Sequence, residues 1–223
     1  MTYRILDMLY PRFCSGCGNP VETAPGHLCW ECRSRIRLLQ SPLCSICGDP
    51  VQGRISSGYV CSWCRKRRPS FDAARSAALY RGPLRTAICE MKYMNFPCLA
   101  GDLAVFLRSC VTVHYSRVFL DAVTYVPLHP RKGRERTFNQ CALLARKLAG
   151  LLGLPLAAGL LSRTRFTQTQ TDLSPGERRR NVANAFQAVK PSWIEGRRFL
   201  LVDDVMTTGS TVNEVSRTLK LAG

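Results

Sequence analysis

Eight of the twelve cysteines in this 223-residue chain fall into four Cys-x-x-Cys pairs near its N-terminus, and this spacing restricts how that part can fold. Two thiolates of one pair occupy two corners of a tetrahedral zinc site, and a second pair supplies the other two. In a reducing compartment the pattern indicates metal binding rather than disulfides. We therefore predict two closed Zn²⁺ sites with the ligands Cys14, Cys17, Cys29, Cys32, Cys44, Cys47, Cys61 and Cys64.

The spacing leaves the pairing of these knuckles open. We expect sequential pairing, in which the first pair joins the second and the third joins the fourth, with a cross-brace as the alternative. A closed four-thiolate site has no position for a substrate, so we expect zinc to stabilise a module whose own core is too small. The module is alternatively a docking surface for nucleic acid or protein, on which Trp30 or Trp63 would stack a base. We assign it to residues 1–68.

Residues 70–223 form the second predicted domain, and its most informative stretch lies near the end of the chain. Residues 199–202 are all apolar and predict a buried strand, which leads into two carboxylates, Asp203 and Asp204. A hydroxyl-rich turn then opens a helix. Backbone N–H groups at a helix start bind phosphate, and adjacent carboxylates accept hydrogen bonds from a sugar diol, so the stretch predicts a ribose 5-phosphate site. The residues of the turn are Thr207, Thr208, Gly209, Ser210 and Thr211.

Two basic segments accompany this stretch. Arg131, Lys132 and Arg134 follow a predicted strand over residues 122–126, and ligands of open α/β sheets gather at the carboxyl ends of strands. These cations suit pyrophosphate, with a solvated basic loop as the alternative. Residues 163–181 contain a predicted helix start at Ser174 and form either a lid over the phosphates or a surface loop. We also predict a strand over residues 72–80 and helices over 84–93, 99–110 and 137–148.

The segment Val202-Asp-Asp-Val-Met-Thr-Thr-Gly-Ser-Thr211 resembles the phosphoribosyl pyrophosphate (PRPP) loop of type I phosphoribosyltransferases. Combined with the cysteine pairs, Pro127-Leu-His-Pro-Arg131, Arg136-Thr-Phe-Asn-Gln140 and the series from Gln170 to Phe186, it is similar to the ComF family of competence-associated proteins. The resemblance implies an α/β fold with a phosphoribosyltransferase-like parallel sheet and an N-terminal double zinc ribbon. It further implies that Asp203 and Asp204 bind the ribose of Mg²⁺-PRPP and that Thr207 to Thr211 bind its 5-phosphate.

Three features depart from the related sequences. Some purine-salvage phosphoribosyltransferases carry an acidic general base where this chain has Thr207, which argues against 6-oxopurine chemistry. Members of the ComF family usually have Gly at the position of Thr137. They also continue through one more strand, whereas this sequence stops at Gly223, so we expect the last strand of the sheet to be missing.

The charge of the chain favours polyanionic partners. It carries 32 Lys and Arg against 15 Asp and Glu, a formal net charge of +17. With the family resemblance, this leads us to expect single-stranded DNA and competence-machinery proteins as partners. The sequence has no apolar run of membrane-spanning length and no secretory signal, so we expect a cytoplasmic location.

Two hypotheses for the function follow from the sequence. The first is a PRPP-binding protein that acts in DNA uptake. The second is an active phosphoribosyltransferase of nucleotide metabolism with an unidentified acceptor. The sequence assigns no catalytic residue, because no side chain stands out as a general base and no feature identifies the acceptor.

Overall fold

We describe the protein from a computed structural model, which covers residues 11–21, 26–51, 53, 58–167 and 174–223. Its helices are α1 Trp30–Ser34, α2 Ser62–Arg67, α3 Gly82–Tyr93, α4 Leu99–Tyr115, α5 Pro130–Arg136, α6 Gln140–Leu152, α7 Pro175–Val182, α8 Pro191–Ile194 and α9 Ser210–Leu221. Its strands are β1 Ala122–Tyr125, β2 Leu161–Arg163, β3 Phe186–Ala188 and β4 Phe199–Val202. Within these ranges, no helix has the length and apolar content that crossing a membrane requires.

The N-terminal module consists of two ribbons that repeat the same local hydrogen bonds. In the first ribbon the N–H of Cys14 donates to the carbonyl of Asn19 at 2.8 Å, and in the second the N–H of Cys44 donates to the carbonyl of Asp49 at 2.9 Å. Each ribbon leads into a short helix, α1 or α2, whose N-cap is a cysteine. The repeat confirms the double-ribbon architecture that the cysteine spacing predicted.

The second domain is built on parallel strands. β1 and β4 run side by side with Val123 opposite Leu200, and Leu156 joins β1 through a parallel bridge to Val123. β2 and β3 form a separate antiparallel pair. Parallel strands need a crossover between them, and here the intervening chain includes α6, which packs on β1 and α4. The predicted α/β class is confirmed.

Apolar side chains fill a core on each face of β1. Val123 points into the main core, which also contains Leu28 of the first ribbon, Met91 of α3 and Val202 of β4. Its neighbour Ala122 points to the opposite face, because successive strand residues alternate. That second core is formed with β2, β3 and α9. The first ribbon is therefore part of the main core rather than an appendage.

The segment 72–80 is not the strand that its sequence predicted. It is extended, but within the described residues its bridge to another segment is a single antiparallel one, between Ala78 and Leu38. Backbone hydrogen bonds from Leu39 to Ala77 and from Leu79 to Arg37 flank that bridge. The segment therefore joins the two ribbons to the second domain instead of entering the sheet.

The basic segment after β1 also differs from its prediction, because it is the helix α5 and not a loop. The side chain of His129 caps this helix by accepting a hydrogen bond from the N–H of Arg131 at 3.2 Å. α6 begins at Gln140 rather than at Thr137, since Asn139 is its N-cap and Thr137 adopts a left-handed conformation with φ of 60°.

β4 is an edge strand in the described part of the chain, where it pairs with β1 alone. Its other edge faces a cavity of about 1190 Å³, lined by β4, residues 71–80 and one side of α4. Although the strand is wholly apolar, Phe199, Leu200 and Leu201 are partly exposed.

Candidate functional site

The eight paired cysteines gather in two groups of four, and the first pair joins the second while the third joins the fourth. The sequential arrangement is thus correct and the cross-brace alternative is wrong. The sulfur atoms of Cys17 and Cys29 lie 3.8 Å apart, and those of Cys47 and Cys61 lie 3.7 Å apart. Sulfurs bound tetrahedrally at about 2.3 Å from zinc are separated by about 3.8 Å. Both groups therefore fit Zn²⁺.

Backbone N–H groups stabilise the first sulfur of each ribbon, those of Cys14 and Cys44, as thiolates, the form that binds metal. Cys14 Sγ accepts hydrogen bonds from the N–H groups of Gly16 and Cys29 at 3.3 and 3.2 Å. In the second ribbon, burial opposes ionisation of Cys44, but N–H donors led by that of Cys61 lower its pKa to about 6. A closed set of four thiolates gives each zinc ion a structural role.

The acidic pair Asp203 and Asp204 follows β4 directly, at the carboxyl end of the parallel strands. Asp203 Oδ1 accepts hydrogen bonds from the N–H of Asp204 at 3.0 Å and from the Cys141 thiol at 3.4 Å. Asp204 Oδ2 lies 2.9 Å from Lys92 Nζ, and these two side chains are 13% and 15% exposed. Lys92 thus balances part of the negative charge that two adjacent, largely buried carboxylates create.

The members of this cluster shift each other's ionisation. Burial and the charge of Asp204 raise the pKa of Asp203 to about 7. Burial raises the pKa of the Cys141 thiol well above its ordinary value, with the aspartates adding to the shift. Burial disfavours the Lys92 ammonium, but the charge of Asp204 outweighs it and raises the pKa of Lys92. The site therefore combines a fixed cation with a carboxyl group that titrates near neutral pH.

The hydroxyl-rich turn between β4 and α9 forms a concave surface. Gly209 is the N-cap of α9 and adopts φ of 68°, a conformation that costs glycine little. The hydroxyls of Thr208 and Ser210 hydrogen-bond each other at 2.7 Å. The first N–H groups of a helix have no intrahelical acceptors, so this surface suits an anion. The hollow is lined by Asp203, Val205, Met206, Thr207, Gly209, Ser210, Thr211 and Val212.

α7 reaches this turn through Arg178, whose guanidinium donates a hydrogen bond to the Thr207 hydroxyl at 2.9 Å. The helix begins with a capping box, in which Ser174 Oγ accepts from the N–H of Glu177 and the Glu177 carboxylate accepts from the N–H of Ser174. The helix start predicted at Ser174 is confirmed. Residues 168–173 of the predicted lid lie outside the described residues.

The cations predicted for pyrophosphate, Arg131, Lys132 and Arg134, lie together on α5. The guanidinium of Arg131 is 4.9 Å from the centroid of the Phe166 ring, and Lys132 Nζ is 5.6 Å from it. Arg134 is exposed. Phe166 thereby links α5 to the first residues of the predicted lid.

Arg163 connects α5 to the acidic pair. Burial lowers the pKa of Lys132, and the nearby charge of Arg163 lowers it further. Burial also lowers the pKa of Arg163, while the negative charge of Asp203 opposes that shift. Within the described residues the buried Nε of Arg163 has no hydrogen-bond partner. Because Lys132, Arg163 and Asp203 influence one another's pKa in this order, α5 and the acidic pair lie on either side of Arg163.

The sequence analysis missed two members of the site, Lys92 and Cys141. Lys92 is the one cation in the last turn of α3, beside the buried Met91, and Cys141 lies in the first turn of α6. A cation in the last turn of a helix is commonplace, because it favours the helix dipole. The local sequence gives no sign that either side chain meets Asp203 or Asp204.

Two zinc ribbons joined to an α/β domain with an acidic pair and a hydroxyl-rich turn at its strand ends define a double zinc ribbon protein with a phosphoribosyltransferase domain. Sequence comparison agrees, because residues 5–65 match the double zinc ribbon domain family and residues 139–223 match the phosphoribosyl transferase domain family.

Curated relatives cover most of the chain. "DNA utilization protein YhgH" of Salmonella typhi is 34% identical over 211 residues, which cover 88% of this chain and 92% of that protein. "Competence protein F" of Haemophilus influenzae is 34% identical over 215 residues, covering 94% and 91%. "Competence protein ComFC" of Bacillus subtilis is 25% identical over 203 residues, covering 86% and 77%. The chain belongs to the ComF family.

Proposed function

We propose that this protein binds PRPP at the carboxyl end of β1 and β4. The observation that carries the proposal is that Asp203 and four residues of the hydroxyl-rich turn line the same hollow. The 5-phosphate would bind the N–H groups and hydroxyls of Thr207 to Thr211. The ribose diol would donate hydrogen bonds to Asp203 and Asp204, and the Mg²⁺ that accompanies PRPP would add positive charge beside them.

The pyrophosphate of PRPP would lie towards the cations of α5 and Arg163. Arg131, Lys132 and Arg134 supply the charge, and Arg163 offers a buried Nε donor without a partner in the described part of the chain. Guanidinium groups bind phosphate oxygens through paired N–H donors. These residues would stabilise the negative charge that develops on pyrophosphate as its bond to the ribose breaks.

Calorimetric titration with Mg²⁺-PRPP tests this proposal. The double variant Asp203→Asn, Asp204→Asn should weaken binding by about 100-fold, since hydrogen bonds to charged groups contribute about 1.5–3 kcal/mol each. A matched control is Asp49→Asn with Glu31→Gln, two exposed carboxylates of the N-terminal module whose loss should leave affinity unchanged. Absence of binding by the wild type, or equal affinity in both double variants, would contradict the proposal.

We further propose that the protein acts in DNA uptake or handling, in the cytoplasm, where zinc-binding thiols stay reduced. The printed names of the relatives refer to DNA utilization and competence. The net charge of +17 favours a polyanion, and Trp30 is 79% exposed and accessible for base stacking, whereas Trp63 packs against the second ribbon. Proteins of the competence machinery are the expected protein partners.

Salt dependence tests DNA binding separately from PRPP binding. We expect single-stranded DNA to bind with an affinity that falls steeply with salt, because the phosphates release condensed counterions. Asp203→Asn with Asp204→Asn should leave this binding unchanged. Failure to bind single-stranded DNA at low salt would contradict direct DNA contact, and the capture of competence-machinery proteins would then be the remaining route.

Transfer of the phosphoribosyl group from PRPP to an acceptor is the second candidate function. The charged groups around Asp203 suit transition-state stabilisation, but Thr207 uses its hydroxyl to hold Arg178 rather than to accept a proton from an acceptor. An acceptor would therefore have to bring its own nucleophile. Release of pyrophosphate from PRPP in the presence of candidate acceptors, abolished by Asp203→Asn with Asp204→Asn, would identify the protein as a transferase.

A further inference from the structure

The second zinc ribbon packs directly beneath the hydroxyl-rich turn. Three of its cysteines, Cys44, Cys47 and Cys64, are buried in one small core with Phe71, which is 7% exposed. Met206, which precedes the turn, and Val212 of α9 pack against this same core. The sulfurs that fit zinc and the backbone that suits phosphate therefore share one apolar cluster.

Phe71 lies at the centre of this contact. Its Cε1 is within 3.8 Å of the position that a Cβ at Gly209 would occupy, so the ring supports the N-cap of α9 from below. The residue before it, Ser70, donates its N–H to the side chain of Asn213 in the first turn of α9 at 2.7 Å. The segment around Phe71 is thus attached to the turn by both packing and a hydrogen bond.

The same segment is bound tightly to the second ribbon. The N–H of Ala74 donates to the carbonyl of Ile46 at 2.7 Å, between the two cysteines of a knuckle. The guanidinium of Arg75 donates to the carbonyls of Ser45 at 2.9 Å and Ala74 at 2.7 Å. Added to Gly48, a Cβ would come within 2.6 Å of the Ala74 carbonyl, so the knuckle fits against this segment closely.

The first ribbon has a different neighbour. Its buried residues Leu28 and Cys32 pack with α3 and α4, and the N–H of His27 donates to the Asp102 carboxylate of α4 at 2.8 Å. Among the described residues, the cysteines of the core on which Met206 and Val212 pack all belong to the second ribbon. The two otherwise similar ribbons thus support different parts of the second domain.

We propose that the second zinc ribbon, through Phe71, positions the phosphate-binding turn, so that zinc in this ribbon and not in the first sets the affinity of the turn for phosphate. The inference rests on the proposed binding of PRPP and adds how that site is held in shape. Phe71 is a positioning residue in this account, since it touches the turn and not the ligand. When zinc is lost from the second ribbon, its two cysteine pairs are no longer held together. Phe71 then no longer packs against a rigid ribbon, and the turn at Gly209 becomes more mobile.

Two cysteine variants at equivalent positions provide the test. Cys29 and Cys61 are both partly buried N-caps, of α1 and α2, and each supplies one thiolate to its group. In the full chain, Cys61→Ser should raise amide hydrogen exchange across residues 206–212 by about tenfold, a free energy change of about 1.4 kcal/mol. Cys29→Ser should leave exchange in these residues within about twofold of the wild type. Equal exchange in the two variants would overturn the proposal.

A second pair of variants keeps all eight zinc ligands and covers the case that a cysteine variant does not fold. Phe71→Leu should weaken PRPP binding about fivefold to tenfold while both zinc ions are retained, because the cavity beneath the turn lets it relax. Phe106→Leu removes the same atoms from a partly buried ring of α4 that packs on the main core instead of the ribbon core, and should bind PRPP as the wild type does. Equal affinities for the two variants would contradict a positioning role for Phe71.

The two readouts separate this inference from the proposed function. If the wild type does not bind PRPP, the proposed function fails, while amide exchange in Cys61→Ser still tests the coupling between ribbon and turn. If the wild type binds PRPP and neither Cys61→Ser nor Phe71→Leu differs from its control, the coupling fails and the proposed function stands.

Discussion

Asp203 ends a strand of four apolar residues and lies beside a second carboxylate and the buried thiol of Cys141. The same position that would let it accept a hydrogen bond from a ribose makes it unfavourable as an anion in the absence of ligand. Its pKa is raised to about 7, so the folded state favours the protonated form. Stability from this group is present in full at acid pH and is lost as the pH rises through 7.

Asp203→Asn should therefore stabilise the protein, and more so in alkali. We expect its gain in the free energy of unfolding to be about 2–3 kcal/mol larger at pH 8 than at pH 5, because the neutral amide avoids the cost of ionisation. Urea unfolding at the two pH values measures this difference. Asp49→Asn, at an exposed position, should show no such pH dependence. A gain that is the same at both pH values would contradict the assignment of a buried, titrating carboxyl group.

Thr137 is a second residue where local conformation and side chain conflict. It adopts φ of 60°, where a β-branched side chain is strained, and its hydroxyl donates to Asn95 Oδ1 at 2.6 Å. Thr137→Gly should raise the free energy of unfolding by about 0.5–1 kcal/mol, since relief of strain exceeds the entropy lost by glycine. Thr137→Ala keeps the Cβ and loses the hydrogen bond, so it should be less stable than the glycine variant in chemical denaturation. The reverse order would contradict this explanation.

At the scale of the element, the N-terminal cap of helix α7 holds in place the residue that contacts the hydroxyl-rich turn. Its capping box at Ser174 and Glu177 fixes the first turn, and the next residue, Arg178, hydrogen-bonds Thr207 of the hydroxyl-rich turn. Ser174→Ala should lower the local stability of α7 by about 1 kcal/mol. Amide hydrogen exchange of residues 177–182 should rise about fivefold, compared with no change for Ser192→Ala in α8, where Lys190 is the N-cap. Unchanged exchange in Ser174→Ala would show that tertiary contacts, not the cap, hold the helix.

Elements with local signals were predictable from the sequence, and elements fixed by distant contacts were not. The capping box at Ser174, the apolar strand at 199–202 and the knuckle spacing each carry their cause within a few residues. Residues 72–80 read as a strand, because their extended conformation is visible locally, whereas the absence of a sheet neighbour is not. The ion pair of Lys92 with Asp204 joins α3 to the end of β4. The residues around either side chain carry no local pattern that predicts this pairing.

At the scale of the whole molecule, each ribbon shares an apolar core with residues of the second domain. Asp102 of α4 is 6% exposed and binds the first ribbon through the N–H of His27 and the guanidinium of Arg33. Asp102→Ala should lower the free energy of unfolding by about 3 kcal/mol, because it leaves buried donors unpaired. Asp72→Ala breaks an ion pair to Lys220 that is largely exposed and should cost less than about 1 kcal/mol. The free energies of unfolding are measured in denaturant with zinc present. Equal losses in the two variants would contradict a larger contribution from the buried contact of Asp102.

A crystal structure of the protein with Mg²⁺ and PRPP tests the central claim most directly. We predict that the 5-phosphate lies against the N–H groups of the turn from Thr207 to Thr211, and that the ribose diol lies within hydrogen-bond distance of Asp203 and Asp204. The pyrophosphate should extend towards α5. PRPP bound instead to the exposed arginines of the surface, with the pair Lys92–Asp204 and the turn unchanged, would contradict the account.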